Sequence, residues 1–378
     1  MFDYETLRLV WWLLVGILLI GFAITDGFDL GAAMLLPLLG KTDTERRVII
    51  NTIAPHWDGN QVWFVTAGGA LFAAWPLVYA TAFSGFYWAM LLVLFALFFR
   101  PIGFEYRSKM PSQRWRNHWD RGLCIGSFVP ALVFGVAFGN LFLGVPFSFD
   151  EFTRPTYTGS FWALLNPFAL LCGLTSVVML ISHGATWLQM RAGGEVQNRA
   201  RTAAALTAPM LSLLLILAGA WLVTAIPGYE ISSAVIGDAS SNPLSKTVTR
   251  TDDWFANFAT YPQLWLLPAF AVALPLLTSL LTKLALYGWA FLSSALSITA
   301  IILLAGTTLF PFLMPSSLDL ASSLTLWDAT SSQLTLEIML WVVIFFVPLI
   351  LAYTVWSYYK MWGRVEPEAI ESNSISFY

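Results

Sequence analysis

The segment Pro55-His56-Trp57-Asp58-Gly59-Asn60-Gln61-Val62-Trp63 places a carboxylate, an imidazole and two amides in an apolar run that continues to Pro76. These side chains suit proton transfer: carboxylate and imidazole bind and release protons, and amides orient the bonds between them. At roughly 100° per residue, His56, Asn60 and Trp63 share one helix face, and Trp57, Asp58 and Gln61 crowd another. An ionisable group inside a span costs about 2.5–3.5 kcal/mol on insertion scales unless a partner or water meets it. The helix is therefore expected to be enclosed by protein, with Asp58 as its first functional candidate.

A second acidic pair, Asp26 and Asp29, lies in Thr25-Asp26-Gly27-Phe28-Asp29, three residues apart and hence on one helix face. Two readings are open. The pair is a solvated helix end near Lys41, Arg46 and Arg47, or it is the cytoplasmic mouth of a proton relay. In the second reading Asp58 lies further in, about eight residues or roughly 12 Å from the start of its span near Ile50. His56 and Gln61 are then carriers or orienters, and Glu105 joins the uptake side. Against this stands a structural pairing of Asp58 with Arg100 or with a neighbouring subunit. Arg100, just before Pro101, reads as an anchor that snorkels to the interface. His183 reads as a histidine hydrogen-bonded near a helix end. With His56 and His118 it completes a set of 3, too few to ligate several haems at matched depths.

The elements that position these groups follow from composition. The chain has 378 residues, 58% hydrophobic and 11% charged, against about 25% charged in soluble domains. It reads as one all-α integral membrane domain over residues 1–378. Spans of about 20 apolar residues are expected at 9–29, 50–75, 79–100, 122–145, 161–190, 203–226, 262–283, 287–310 and 336–358. The fifth is long enough to kink at Asn166-Pro167. With the N-terminus periplasmic, all of the 19 Lys and Arg except Arg8, Arg154, Lys246 and Arg250 fall on the cytoplasmic side, which also sets the C-terminus inside. Spans one to four and five to eight form two four-helix units with the ninth added. The first span lacks a basic leader and a cleavage pattern, so it is retained. Ser and Thr residues with Asp328 are placed to cap the ninth span. The 2 cysteines, Cys124 and Cys172, lie in apolar runs, so neither a disulfide framework nor a metal site is expected. Nothing in the charge points to nucleic acid. Without further information a proton-coupled transporter fits the intramembrane carboxylates, and an autonomous haem-bearing quinone reductase is a third reading.

Longer motifs narrow the choice. Trp11-Trp12-Leu13-Leu14-Val15-Gly16, the Thr25–Asp29 and Pro55–Trp63 segments, Ala67-Gly68-Gly69-Ala70-Leu71-Phe72-Ala73-Ala74-Trp75-Pro76, Phe98-Phe99-Arg100-Pro101, Gly135-Val136-Ala137-Phe138-Gly139-Asn140 and Trp327-Asp328-Ala329-Thr330-Ser331-Ser332-Gln333 run through the chain. Together they resemble subunit II of cytochrome bd ubiquinol oxidases of the proteobacterial type, over essentially the whole length. The resemblance implies a respiratory complex of the bacterial inner (cytoplasmic) membrane that oxidises quinol outside and reduces O₂ to water with cytoplasmic protons. It implies two b-type haems (haem b) and one d-type haem (haem d) in a partner, subunit I, and small accessory subunits in some relatives. In some relatives this subunit also holds a structural quinone. The resemblance matches Asp58 to a cytoplasmic proton route, with Asp26 and Asp29 near its entrance, and Trp63 to the mouth of an oxygen channel. At position 105 relatives carry Asp where this chain has Glu.

Overall fold

The computed structural model describes residues 2–372 and 378. Fourteen helices are present among them: α1 (Tyr4–Leu39), α2 (Asp43–Ile53), α3 (Trp57–Ala74), α4 (Pro76–Gly85), α5 (Tyr87–Leu97), α6 (Phe99–Tyr106), α7 (Gln113–Leu143), α8 (Pro167–Arg191), α9 (Gly194–Ala225), α10 (Ala256–Thr260), α11 (Leu266–Lys283), α12 (Tyr287–Leu309), α13 (Gln333–Lys360) and α14 (Pro367–Ser372). Eight segments are long and apolar enough to cross a membrane, and counting the bent pair α3–α4 as one brings the total to nine. The chain is an all-α, multi-pass membrane protein.

Local chemistry explains where the helices stop. Asp3 caps α1 by accepting from the Thr6 backbone N–H. The helix then runs 36 residues, past the expected end at 29, because Gly27–Leu39 is apolar apart from Asp29 and, through Leu36, is buried by neighbouring helices. A capping box between Thr42 and Glu45 starts α2. Pro55 separates α2 from α3, so the expected span 50–75 is two helices, and Asp58 lies in the first turn of α3. At Trp75-Pro76 the chain bends by 119°, with Pro76 opening α4. That bend moves the third span from 79–100 to Tyr87–Lys109. Asn166 caps α8 by accepting from the Ala169 N–H, so the expected kink is the helix start.

Helices α1, α3, α5–α6 and α7 form one four-helix unit, and α8, α9, α11 and α12 form the other. α13 flanks α1 and α3. The units meet where α1 and α7 pack on α8. Gly31 and Gly184 face each other there, and a Cβ on either would collide with the other helix's backbone. Small residues of this kind let membrane helices approach closely. Replacing Gly184 by Ala is expected to destabilise the fold by about 1–3 kcal/mol, the usual cost of overpacking, and a lower melting temperature of the purified protein checks it.

Three short antiparallel hairpins cap the outer ends: β1 (Phe147–Phe149) with β2 (Pro155–Tyr157), β3 (Gly228–Ile231) with β4 (Val248–Thr251), and β5 (Phe312–Met314) with β6 (Leu324–Thr325). Arg8 is fully buried and donates to the carbonyls of Gly237 and Ala239, which straps the loop across the start of α1. Asp328 does not cap α13; Ser332 does, accepting from the Thr335 N–H. Asp328 instead accepts from Thr325 and pairs with Lys246 at 2.9 Å. Burial holds the Lys246 ammonium below the ordinary lysine range, while Asp328 pulls it back.

At the opposite end Arg107 bridges Asp120 and Asp43 at 2.5 and 2.9 Å, and Arg46 and Arg116 join from either side. Glu45 accepts from both Arg199 nitrogens at 2.9 and 2.8 Å, tying α2 to α9. The Arg199 hydrogen bond, helped by the Lys41 and Thr42 N–H groups, lowers the Glu45 carboxyl to about 2 against the opposing effect of burial. A depressed carboxyl stabilises the fold above its unfolded value, and that share is lost as pH falls toward the folded value. Glu45→Gln is therefore expected to flatten the fall in melting temperature between about pH 5 and pH 3.

Candidate functional site

Arg100 is the centre of the buried site. Although Pro101 follows it, α6 continues through both residues, and the guanidinium turns inward instead of snorkelling. Nη1 donates to Asp26 Oδ2 at 2.9 Å, and Nη2 to Oδ1 of the same carboxylate. Arg100 and Asp26 are both fully buried, so the pair joins α6 to α1 inside the protein. The Trp57 ring lies 5.6 Å from the guanidinium. Neither the anchor reading of Arg100 nor a pairing with Asp58 holds: its partner is Asp26.

Asp29 lies one turn further along α1 and is also fully buried. Asn60 Nδ2 donates to its Oδ2 at 2.8 Å, and among the described residues its Oδ1 has no hydrogen-bond partner. The two acids are therefore not a solvated mouth. Asp26 stands about 33 Å along α1 from Tyr4, which is where a bilayer's hydrocarbon would end, but the remaining turns of α1 and the helices around them close over it. Two carboxylates and one guanidinium leave a charge of −1 if both acids are ionised, and all three groups are buried.

Asn60 links this cluster to α13, because its Oδ1 accepts from the Tyr358 hydroxyl at 2.7 Å. His56 is buried, with its ring stacked on that of Tyr358 at 4.1 Å and 5° between planes. Asp58 points elsewhere. Two residues from Asn60, it lies across α3 from it, it is exposed, and among the described residues it has no hydrogen-bond partner. Among the described residues of this chain, none encloses it. Gly59, Val62, Val65, Thr66, Gly69 and Phe72 continue the same bare flank. Gln61 is half-buried, and Glu105 is exposed. Trp63 is half-buried against Gly21, near Phe22, Phe64 and Phe134. The structure thus joins Asp26, Asp29 and His56 in one region and leaves Asp58 and Glu105 on the surface.

His183 is fully buried in α8, with Nε2 2.9 Å from the Ile24 carbonyl and Nδ1 3.0 Å from the Ser294 hydroxyl. The carbonyl can only accept, so Nε2 carries the proton and Nδ1 accepts from Ser294. The hydrogen-bonded reading stands, although the residue lies two turns before the end of α8. Sequence reading missed the Asp26–Arg100 pair, Asn60 as a bridge, and Tyr358. A hint of the first was Arg100 itself, a charge in the apolar run Leu97-Phe98-Phe99.

Comparison with known proteins agrees with this architecture. The family model for cytochrome bd terminal oxidase subunit II matches residues 7–361. The chain is similar to cytochrome bd-I ubiquinol oxidase subunit 2 of Escherichia coli K12, with 59% identity covering 100% of both chains. It is 54% identical to a probable cytochrome oxidase subunit 2 of Haemophilus influenzae, again over 100% of both. Cytochrome bd ubiquinol oxidase subunit 2 of Bacillus subtilis is 32% identical over 94% of this chain and 96% of its own. Among solved structures, a chain of the bd oxidase from Geobacillus thermodenitrificans shares the fold, with a TM-score of 0.63 at 13% identity, covering 95% of this chain and 98% of that one. With that match running nearly end to end over the helices that hold the buried acids, the chain belongs to the cytochrome bd terminal oxidase subunit II family.

Proposed function

We propose that this chain is the haem-poor partner in a quinol oxidase of the bacterial inner membrane. It supplies part of the route by which cytoplasmic protons reach the site of O₂ reduction in subunit I, and the face on which that subunit packs. The observation that carries the reading is the position of Asp58, an exposed carboxylate on a flank of α3 that the described residues of this chain leave uncovered. Lipid does not solvate such a group cheaply, so another subunit or a water-filled passage between subunits covers it. The small residues Gly59 and Gly69 on that flank have open space beside them, which suits close helix approach.

Two b-type haems and one d-type haem supply electron transfer and O₂ binding in the complex. The histidines here favour placing them in subunit I: His183 has both ring nitrogens engaged, His56 is stacked on Tyr358, and His118 is exposed at the start of α7. The residues of this chain hold and pass protons. Asp58 takes one on the flank facing subunit I, with Gln61 beside it and Glu105 on the uptake side. Asp26 and Asp29, balanced by Arg100, store one behind α3. Trp63, in its apolar aromatic surroundings, borders the path of O₂. Electrons from outside and protons from inside make each turnover electrogenic.

Purification through a tag on this chain tests the assignment. A larger partner bringing b- and d-type haem absorption bands is expected, whereas a colourless, monodisperse single chain would favour the transporter.

A further inference from the structure

The amide of Asn60 sits between two groups of opposite need. Its Nδ2 is 2.8 Å from Asp29 Oδ2, and its Oδ1 is 2.7 Å from the Tyr358 hydroxyl. An ionised carboxylate only accepts hydrogen bonds, whereas a phenol both donates and accepts. Tyr358 lies near the inner end of α13, a helix whose buried residues, Leu336 and Leu340, are both near its outer end. Its ring is held flat on buried His56. The inner end of α13 thus reaches the acid cluster through one hydroxyl.

We propose that Tyr358 is a positioning residue for Asp29 and acts through Asn60: its hydroxyl holds the amide so that an N–H, not the carbonyl oxygen, faces the carboxylate. The consequence for turnover rests on the reading of Asp29 as part of the proton path. When Asp29 takes up a proton, the amide can turn. Asp29 then donates to Oδ1, and the amide N–H donates to the phenol oxygen. In that turned state the Tyr358 O–H has given up Oδ1 as its acceptor, so the phenol favours the orientation with the N–H on Asp29. Without the hydroxyl, only Asp29 and, at 3.5 Å, the Thr25 carbonyl orient the amide, and the preference that the phenol adds is lost. The charged and titratable groups around Asp29 are Asp26 on its own helix and Arg100 from α6, with Tyr358 from α13 beyond Asn60. Behind the phenol stand His56 and Arg191.

The test uses the intact oxidase complex, with its haem spectrum as the check on assembly. Tyr358→Phe keeps the ring against His56 and removes one oxygen. The infrared carboxyl band of Asp29, identified by its disappearance in Asp29→Asn, is expected to shift in Tyr358→Phe. It is expected to stay where it is when Tyr358→Phe is added to Asn60→Ala, because the phenol then has nothing to act through. With Asp29 on the path, turnover of Tyr358→Phe falls about fivefold, the factor that one neutral hydrogen bond is worth, with a displaced pH profile and an unchanged KM for quinol. An unmoved band overturns the proposal, and so does an equal shift in the Asn60→Ala background. Parental turnover in Asp29→Asn removes the relay, while the band still decides the positioning. If Asp29→Asn removes no band, both fall.

Discussion

Arg100→Leu is expected to prevent accumulation of the folded protein and so of the assembled complex. The side chain is fully buried, makes both of its carboxylate bonds to Asp26, and lies near enough to Asp29 to offset that acid as well. Deleting one partner of a buried ion pair costs about 3–5 kcal/mol, because the remaining charge has neither water nor a counter-ion. Here two carboxylates would be left, against a total stability of about 5–15 kcal/mol for an ordinary protein domain. Arg100→Lys keeps the charge but not the planar two-point contact, so partial accumulation is expected. The decisive comparison is the double variant Asp26→Leu/Arg100→Leu, which removes both charges of the pair and should accumulate better than Arg100→Leu alone. Membrane content and thermal stability of the tagged complex measure all three. Parental yield and melting temperature in Arg100→Leu would show that the pair does not hold the fold.

How far the site was legible in the sequence follows from the range of its interactions. Hydropathy located the spans because burial in lipid is a property of each segment, and Lys and Arg placement set their direction. The break at Pro55 and the bend at Trp75-Pro76 were written in the prolines, but an apolar window runs through both and hid them. The carboxylates of α1 misled in the opposite direction. Asp26 and Asp29 read as the end of a span, because polar residues usually mark one, and only the packing around α1 shows that they are interior. The Asp26–Arg100 contact joins residues 74 apart, and Asn60 meets Tyr358 across 298. No local pattern reports contacts of that range. Tyr358, within Ser357-Tyr358-Tyr359-Lys360, looks like any interfacial aromatic, while its neighbour Tyr359 is in fact exposed. The chemistry of Asp58 singles it out in the sequence, and the structure adds that this chain leaves its side of α3 exposed.

That openness shapes the second large effect. Asp58→Asn is expected to lower oxygen consumption by at least about tenfold, equivalent to roughly 1.4 kcal/mol on the barrier to proton delivery. The haem spectrum of the complex should stay unchanged. The reasoning differs from that for Arg100, because Asp58 has no partner among the described residues and its loss strands no buried charge of theirs. Asn keeps the size and polarity of the side chain but cannot bind and release a proton near neutral pH. Asp58→Glu restores that capacity with one more methylene, so a substantial part of the activity should return. The rate of charge movement in reconstituted vesicles should fall in parallel with turnover, while the charge moved per electron stays the same if, as proposed, the protons consumed still come from the inner side. Asp58 also lies in the first turn of α3, where a negative side chain is favoured by the helix dipole by about 0.3–1 kcal/mol. That small contribution is all it would retain if Asp58→Asn consumed oxygen and moved charge at the parental rate.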